Sequence, residues 1–350
     1  IAALILFLLG HSSSTNPDDS LPFYLRGMNW NKVQEYAKED LRLSNAVHPT
    51  NYDIELFVNV RGHAGADKSD FNGTVFVYLN ITTPVDTIEL HSNGLTIEKA
   101  LIDTLTMGKS VGISKITSNL DRETITIHTN RTIQPEEKFM LQIIYRGVAK
   151  LDEYGLYESW DPKFNKSLDS NGPFILATKS FPTGAPFWFP CFDEGNKRAT
   201  FQLRINHPSE LNAYSNTKIE RTEIASNGRF LSIFEKTHLL STYQVALSIN
   251  HLSSEYLEVP GYDKVRLIRS LNSNDFDRSY PEYTHRYGWR FIHGIPSLIM
   301  NKLSDMHFGE MPKGKLDIII LEGTRSNSIQ PGLVTIGRSN LWNKNPAVDI

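Results

Sequence analysis

From residue 52 onward the chain alternates apolar and polar side chains, and that alternation restricts the fold more than any other feature. Tyr52, Ile54, Leu56, Val58 and Val60 interleave with Asp53, Glu55, Phe57 and Asn59. A period of two puts successive side chains on opposite faces of a strand, so one face is set for a core and the other for water. The pattern returns with Val75, Val77 and Leu79, then over residues 86–90, 124–128 and 139–145. It continues with Phe201, Leu203 and Ile205, and over residues 229–235 and 243–250. Turn signals such as Asn93-Gly94 and Asn227-Gly228 separate these runs. Residues 41–256 therefore read as one large all-β unit of packed sheets or a sandwich.

After Pro260 the texture changes. Residues 262–270 predict one more strand, residues 280–306 a long helix interrupted by Gly294 and Pro296, and residues 315–321 and 333–336 two neighbouring strands. Residues 257–350 thus predict the beginning of a mixed α/β domain. In 350 residues, two domains are the natural expectation.

Within this frame residues 174–201 stand apart. They hold Cys191, which is the single cysteine, together with Phe181, Phe187, Trp188, Phe189 and Phe192. Pro182, Gly184, Pro186 and Pro190 predict a rigid irregular loop, and so many aromatic rings require it to dock. Asp193 and Glu194 have the chemistry of an acid/base pair. In a turn ahead of a strand, such acids more often satisfy backbone N–H groups. Cys191, in an apolar setting, predicts a buried, inert thiol. Trp160, Trp188 and Trp289 read as packing residues. One cysteine excludes an internal disulfide, and a formal charge of −3 with no basic tract gives no reason to expect nucleic acid.

Features of compartment lie at the start. Residues 1–10 are apolar, and ten residues are too few for a span of ~20. With isoleucine rather than methionine first, they read as the remainder of a membrane anchor or a signal core, the anchor being favoured; residues 11–40 read as a polar stalk. Four sequons begin at Asn72, Asn80, Asn130 and Asn165. Together these predict a glycoprotein at the extracellular face of the plasma membrane, held by a type II anchor, or secreted.

Several short pieces, in collinear order, resemble one enzyme family. They are residues 43–56, Ile88–His91 with Leu95-Thr96-Ile97, and Gly155-Leu156-Tyr157. Pro190-Cys191-Phe192-Asp193-Glu194 follows, with Lys197, Ala199, Thr200 and Phe201, although Gly195 stands where the family's signature ends in proline. Ser215-Asn216, Thr242-Tyr243, Lys315-Leu316-Asp317 and Gly332-Leu333-Val334-Thr335 complete the set. The chain resembles the N-terminal half of zinc aminopeptidases of the aminopeptidase N type. That resemblance implies an ectoenzyme with a β domain packed on a thermolysin-like domain. It also implies zinc held by His-Glu-x-x-His and a later glutamate, peptide N-termini as substrates, and room for a homodimer.

The chain departs from that pattern in two places. None of its eleven histidines forms His-Glu-x-x-His, and His285 and His293, eight residues apart, read as surface or packing residues. No metal site is expected in these 350 residues. The family's ammonium clamp, Gly-Ala-Met-Glu-Asn, corresponds to Ser326, Asn327, Ser328, Ile329 and Gln330, with Ile329 at the glutamate. In the earlier loop, Lys179 and Phe181 stand where the resemblance places polar ligands, and Ala185-Pro186 where it places Ala-Arg. Glu310 and Glu322 flank the second segment, yet no shift of register puts an acid between residues 324 and 337. Isoleucine accepts no hydrogen bond. A lysine ~4 Å from an ammonium adds repulsion of about 1–4 kcal/mol, and a lost carboxylate removes about 1.5–3 kcal/mol more. The combined loss is on the order of a thousandfold in affinity. The sequence therefore predicts an aminopeptidase N-like ectoprotein that is not itself catalytic. The alternatives are the N-terminal portion of an active zinc aminopeptidase and an extracellular adhesion module.

Overall fold

The strongest alternation builds the centre of the largest sheet. The computed structural model describes residues 42–337 except 64, 106–109, 136–137, 161–173, 260–263, 270–313, 322–323 and 325–326. Strand β1 (Val47–Asn59) lies between β2 (Asp70–Ile81) and β11 (Thr200–Pro208). It is antiparallel to β2, with Ile54 opposite Val75, and parallel to β11, with Ile54 opposite Leu203. β8 (Phe139–Val148), β4 (Thr96–Thr104) and β5 (Ser110–Val111) extend the sheet on one side. β14 (Arg229–Phe234) and β13 (Ile219–Ala225) extend it on the other. The residues expected inside, from Tyr52 to Val60 and from Val75 to Leu79, are buried. Their neighbours Asn51, Asp53 and Glu55 line the opposite face.

Three smaller sheets complete the described part. β3 (Val85–His91), β7 (Thr124–Ile133) and β6 (Ile113–Asn119) pair in the order β3-β7-β6. β12 (Asn212–Ser215), β15 (Leu247–Asn250), β10 (Phe174–Lys179) and β9 (Gly155–Trp160) form a second sheet in that order. The third consists of β16 (Ser253–Leu257), β17 (Lys264–Arg269), β18 (Lys315–Leu321), β20 (Leu333–Gly337) and β19 (Ser328–Gln330). Here β17, β18 and β20 run parallel. Parallel strands are usually covered on both faces, and this sheet has two apolar faces. Ile268, Ile319, Leu321 and Leu333 pack with Tyr157, Ile175, Ala177 and Tyr214 of the four-stranded sheet. Val265, Leu267, Ile318 and Ile320 form a separate cluster with Val259. The described residues are mostly β, as the sequence predicts.

Two local expectations are corrected. The stretch from residue 174 is not irregular at its start: Phe174–Lys179 is a ladder strand paired with both β9 and β15. Ile175, Leu176, Ala177 and Thr178 are all buried, so the run lacks the polar alternation that marks a half-exposed strand. Residues 243–246, expected in a strand, hold a short 3-10 turn over Thr242–Gln244, and β15 starts only at Leu247. Gln244 explains the turn. Its side chain accepts from the Ser241 backbone N–H at 3.0 Å, closing a capping box. The apolar leader, the stalk, the long helix, His285, His293, Trp289, Glu310 and Glu322 lie outside the described residues. Among the described residues no helix is long and apolar enough to cross a membrane.

Candidate functional site

The loop after β10 is shaped by its own buried polar groups. The Thr178 hydroxyl donates to Leu247 O at 3.2 Å and accepts from the Leu247 N–H at 2.8 Å. Ser180 is buried, donates to Val245 O at 3.4 Å, and accepts the Trp188 indole N–H at 3.1 Å. Between these anchors Lys179 is half-buried, whereas Phe181 is 61% exposed. The Phe181 ring stands edge-on to Tyr243 at 5.6 Å. The chain then folds back on itself, and the Gly184 N–H donates to Ser180 O at 2.7 Å. A Cβ on Gly184 would sit 2.4 Å from Lys179 O, so only glycine closes this bend. Ala185-Pro186 belongs to a buried 3-10 turn over Ala185–Phe187.

Beyond Trp188 the same loop is core. Trp188, Phe189, Cys191 and Phe192 are buried. Tyr52 stacks on Phe201 at 4.7 Å, and its hydroxyl accepts the Phe192 N–H at 3.1 Å. Cys191 bridges to His91 through backbone bonds, and the Asp193 N–H donates to His91 Nδ1 at 3.2 Å. The Asp193 carboxylate accepts from the Thr242 hydroxyl rather than from a backbone N–H. Burial, with Glu123 and Glu194 adding to it, pushes the Asp193 carboxyl up to about 6. Burial also raises the Cys191 thiol well above its ordinary value, as expected of an inert group. Lys197 is buried and donates to Ser44 O at 2.7 Å and Val47 O at 2.8 Å, tying the turn to the start of β1.

The second candidate segment is the β19–β20 hairpin. β19 is the edge strand of its sheet. Ser328 and Gln330 are buried and joined by a 2.9 Å bond from the Ser328 hydroxyl to Gln330 Oε1. Ile329 points the other way and is 79% exposed. Asn327 Oδ1 accepts the Gly337 N–H at 3.1 Å, and Ser326 lies outside the described residues.

Asn216 joins the two segments. Its Nδ2 donates to Pro331 O at 2.8 Å and to Gln244 O at 2.9 Å, while its Oδ1 accepts the Ala246 N–H at 2.9 Å. Gly332, with φ +76°, lies so close that an added Cβ would be 2.0 Å from Asn216 O. Lys315 reaches the preceding carbonyl of Ser215 and donates to Asp317 Oδ2 at 2.7 Å. Arg266 holds Asp317 with two bonds of 2.6 and 2.7 Å. Burial outweighs the attraction of Asp317 and pulls the Lys315 ammonium down to about 8. The Phe181 loop leans on Tyr243 and Val245, and the Ile329 hairpin hangs from Gln244 through Asn216. Tyr243-Gln244-Val245 is thus their common support. The sequence offers Ser215-Asn216, Thr242-Tyr243 and Lys315-Leu316-Asp317 as family-like pieces but gives no sign that they touch. Lys315 and Asp317, two residues apart at the head of the apolar run from Ile318 to Leu321, are the one available hint.

Among the described residues no three His, Cys, Asp or Glu side chains stand close enough to hold a metal ion. His91 and Asp193 do not fit the zinc implied by the resemblance, because they are one histidine and one carboxylate rather than the His-Glu-x-x-His set, and His91 Nδ1 already accepts a backbone N–H.

The model of the Peptidase M1 N-terminal domain matches residues 48–244. The chain belongs to this family. The M1 N-terminal domain match covers β1 to the 3-10 turn at Thr242–Gln244, and therefore the whole loop from Lys179 to Phe201. Relatives are similar over longer or shorter stretches. The glutamyl aminopeptidase of Sus scrofa is 23% identical over 306 residues, covering 86% of this chain and 30% of that protein. The membrane alanyl aminopeptidase of Manduca sexta is 28% identical over 221 residues, covering 60% and 22%. The thyrotropin-releasing hormone-degrading ectoenzyme of Homo sapiens is 26% identical over 209 residues, covering 60% and 18%. The chain thus spans less than a third of the length of these relatives.

Proposed function

We propose that this M1-type chain is an extracellular scaffold that does not itself process peptides. Its described sheets form a platform of the kind a peptidase uses, residues 257–350 begin a thermolysin-like domain, and the surface that resembles the ammonium clamp has changed chemistry. The observation that carries this reading is Ile329, an apolar side chain 79% exposed on the edge strand, at the position where the resemblance places an acid. Its neighbours Ser328 and Gln330 turn inward, and the Ser328 hydroxyl donates to Gln330 Oε1. Lys179 and Phe181 supply a cation and a ring where polar acceptors are expected. A peptide's α-ammonium meets no carboxylate from these positions.

A second reading has its own support. The joint made by Asn216, Gly332 and Lys315 keeps the hairpin fixed, which an active aminopeptidase needs if this chain is one portion of a longer enzyme. In that enzyme a zinc ion would activate water elsewhere in the polypeptide. Sequons at Asn72, Asn80 and Asn130, all on exposed side chains, support passage through the secretory pathway, with Asn165 outside the described residues. Hydrolysis of aminoacyl chromogenic substrates by the full polypeptide to which this chain belongs separates the readings. No chelator-sensitive turnover is expected, and turnover above background would refute the first.

A further inference from the structure

The outer face of the eight-stranded sheet carries a groove over the β1–β2 pair, with a volume of about 510 Å³. Its lining includes Asn51, Asp53, Tyr78, Asn80, Lys138 and Lys236. Asn51 and Tyr78 are cross-strand partners. Both address Asp53: the Asn51 amide donates to Oδ1 at 2.9 Å and the Tyr78 hydroxyl to Oδ2 at 3.4 Å. Such a surface, with amide, carboxylate, hydroxyl and a ring side by side, suits a ligand that alternates hydroxyl groups with C–H faces. Sugars have that character: hydroxyls pair with the amide and carboxylate, and a C–H face rests on the ring.

The groove holds an attachment point for such a ligand on its own lip. Asn80 opens the sequon Asn80-Ile81-Thr82 and is exposed. It lies two residues beyond Tyr78 on the same face of β2, about 7 Å along the strand. The other described sequons lack this setting. Asn72 is on the same face but opposite Phe57, and it lines no part of this groove. The Asn130 amide lies against Gly112, where an added Cβ would be 2.6 Å from its Nδ2.

We infer that Asn80 carries an N-linked glycan whose first sugars lie in this groove, against Tyr78 and beside Lys138 and Lys236. The inference rests on the secretory reading given above. The donor is a lipid-pyrophosphate-linked oligosaccharide. The Asn80 amide nitrogen forms a bond to C1 of the reducing-end N-acetylhexosamine, the bond from C1 to the lipid pyrophosphate breaks, and the amide releases one proton. The exposed position of Asn80 leaves the product outside the sheet, so folding does not have to expel it.

Two measurements on the full protein, expressed through a eukaryotic secretory pathway, test this. Mass spectrometry after enzymatic deglycosylation in ¹⁸O water should find Asn80 occupied. Acylation with an amine-reactive ester should then modify Lys138 and Lys236 several-fold faster in Asn80→Gln than in wild type, while Asn72→Gln leaves both rates unchanged. Trimming the glycans of the folded wild-type protein should produce the same acceleration, which removes dependence on how the variant folds. An unoccupied Asn80, or equal lysine reactivity with and without its glycan, overturns the inference. Occupancy at Asn72 or Asn130 with either result leaves the secretory reading standing. Occupancy at no sequon defeats both.

Discussion

Asp193 shows how one side chain can be structural and still costly. Its carboxyl is pushed up to about 6, first by burial, with Glu123 and Glu194 adding to it against the Thr242 bond. A folded value above the ordinary one means that the native state holds its proton more tightly than the unfolded chain. Stability from this group is therefore present at low pH, falls as pH rises from about 4 to about 6, and is absent above that. Asp193→Asn keeps an acceptor for Thr242 and removes the charge. It should raise stability at pH 7.5 by up to about 2–3 kcal/mol and change it little at pH 4. Urea unfolding at both values checks this. His91 titrates the other way, since burial lowers its value, but it is common to both proteins and largely cancels in the difference. Cys191 gives a simpler expectation. With its thiol buried and raised, a thiol reagent should leave the native protein unlabelled and modify it only once denaturant unfolds the chain.

At the level of elements, Asn216 and Gly332 do most to position the candidate site. Asn216→Ala removes two donations and one acceptance and leaves buried backbone groups without partners. It should cost about 2–4 kcal/mol and speed amide hydrogen exchange in the hairpin from Ile329 to Leu333 relative to β1. Gly332→Ala should cost at least about 1–3 kcal/mol from its left-handed backbone alone, and the contact with Asn216 O adds to that. None of this is legible locally, because Asn216 and Pro331 are 115 residues apart. What a sequence displays is the contrast between buried and exposed faces, which is why β1, β2, β8 and β11 are readable from alternation. β6 and β13 are exposed at nearly every position, and β10 is buried at nearly every position. Each lacks the contrast, so β6 and β13 give no pattern and β10 passes for loop. The buried aromatic loop is legible in a different way: rings that cannot face water predict docking, and Trp188 to Phe192 do dock.

On the scale of the whole molecule, the M1 match covers the β1-to-Gln244 scaffold, and the positions on which the proposal rests lie in two short segments joined to that scaffold. The residues read as family-like have architectural duties: Tyr52, Cys191, Phe192, Lys197, Asn216, Lys315 and Asp317 are buried or hydrogen-bonded in place. Lys179, Phe181 and Ile329 are the positions that the proposal reads as changed, and two of these, Phe181 and Ile329, are among the most exposed apolar side chains of the described residues. That division is what an aminopeptidase-like platform freed from holding a substrate ammonium would show. The most direct measurement is calorimetric titration of the purified chain with one short peptide in two forms, with a free and with an acetylated N-terminus. The account predicts no preference for the free amine. A preference of tenfold or more, about 1.4 kcal/mol, lost on acetylation, would contradict it.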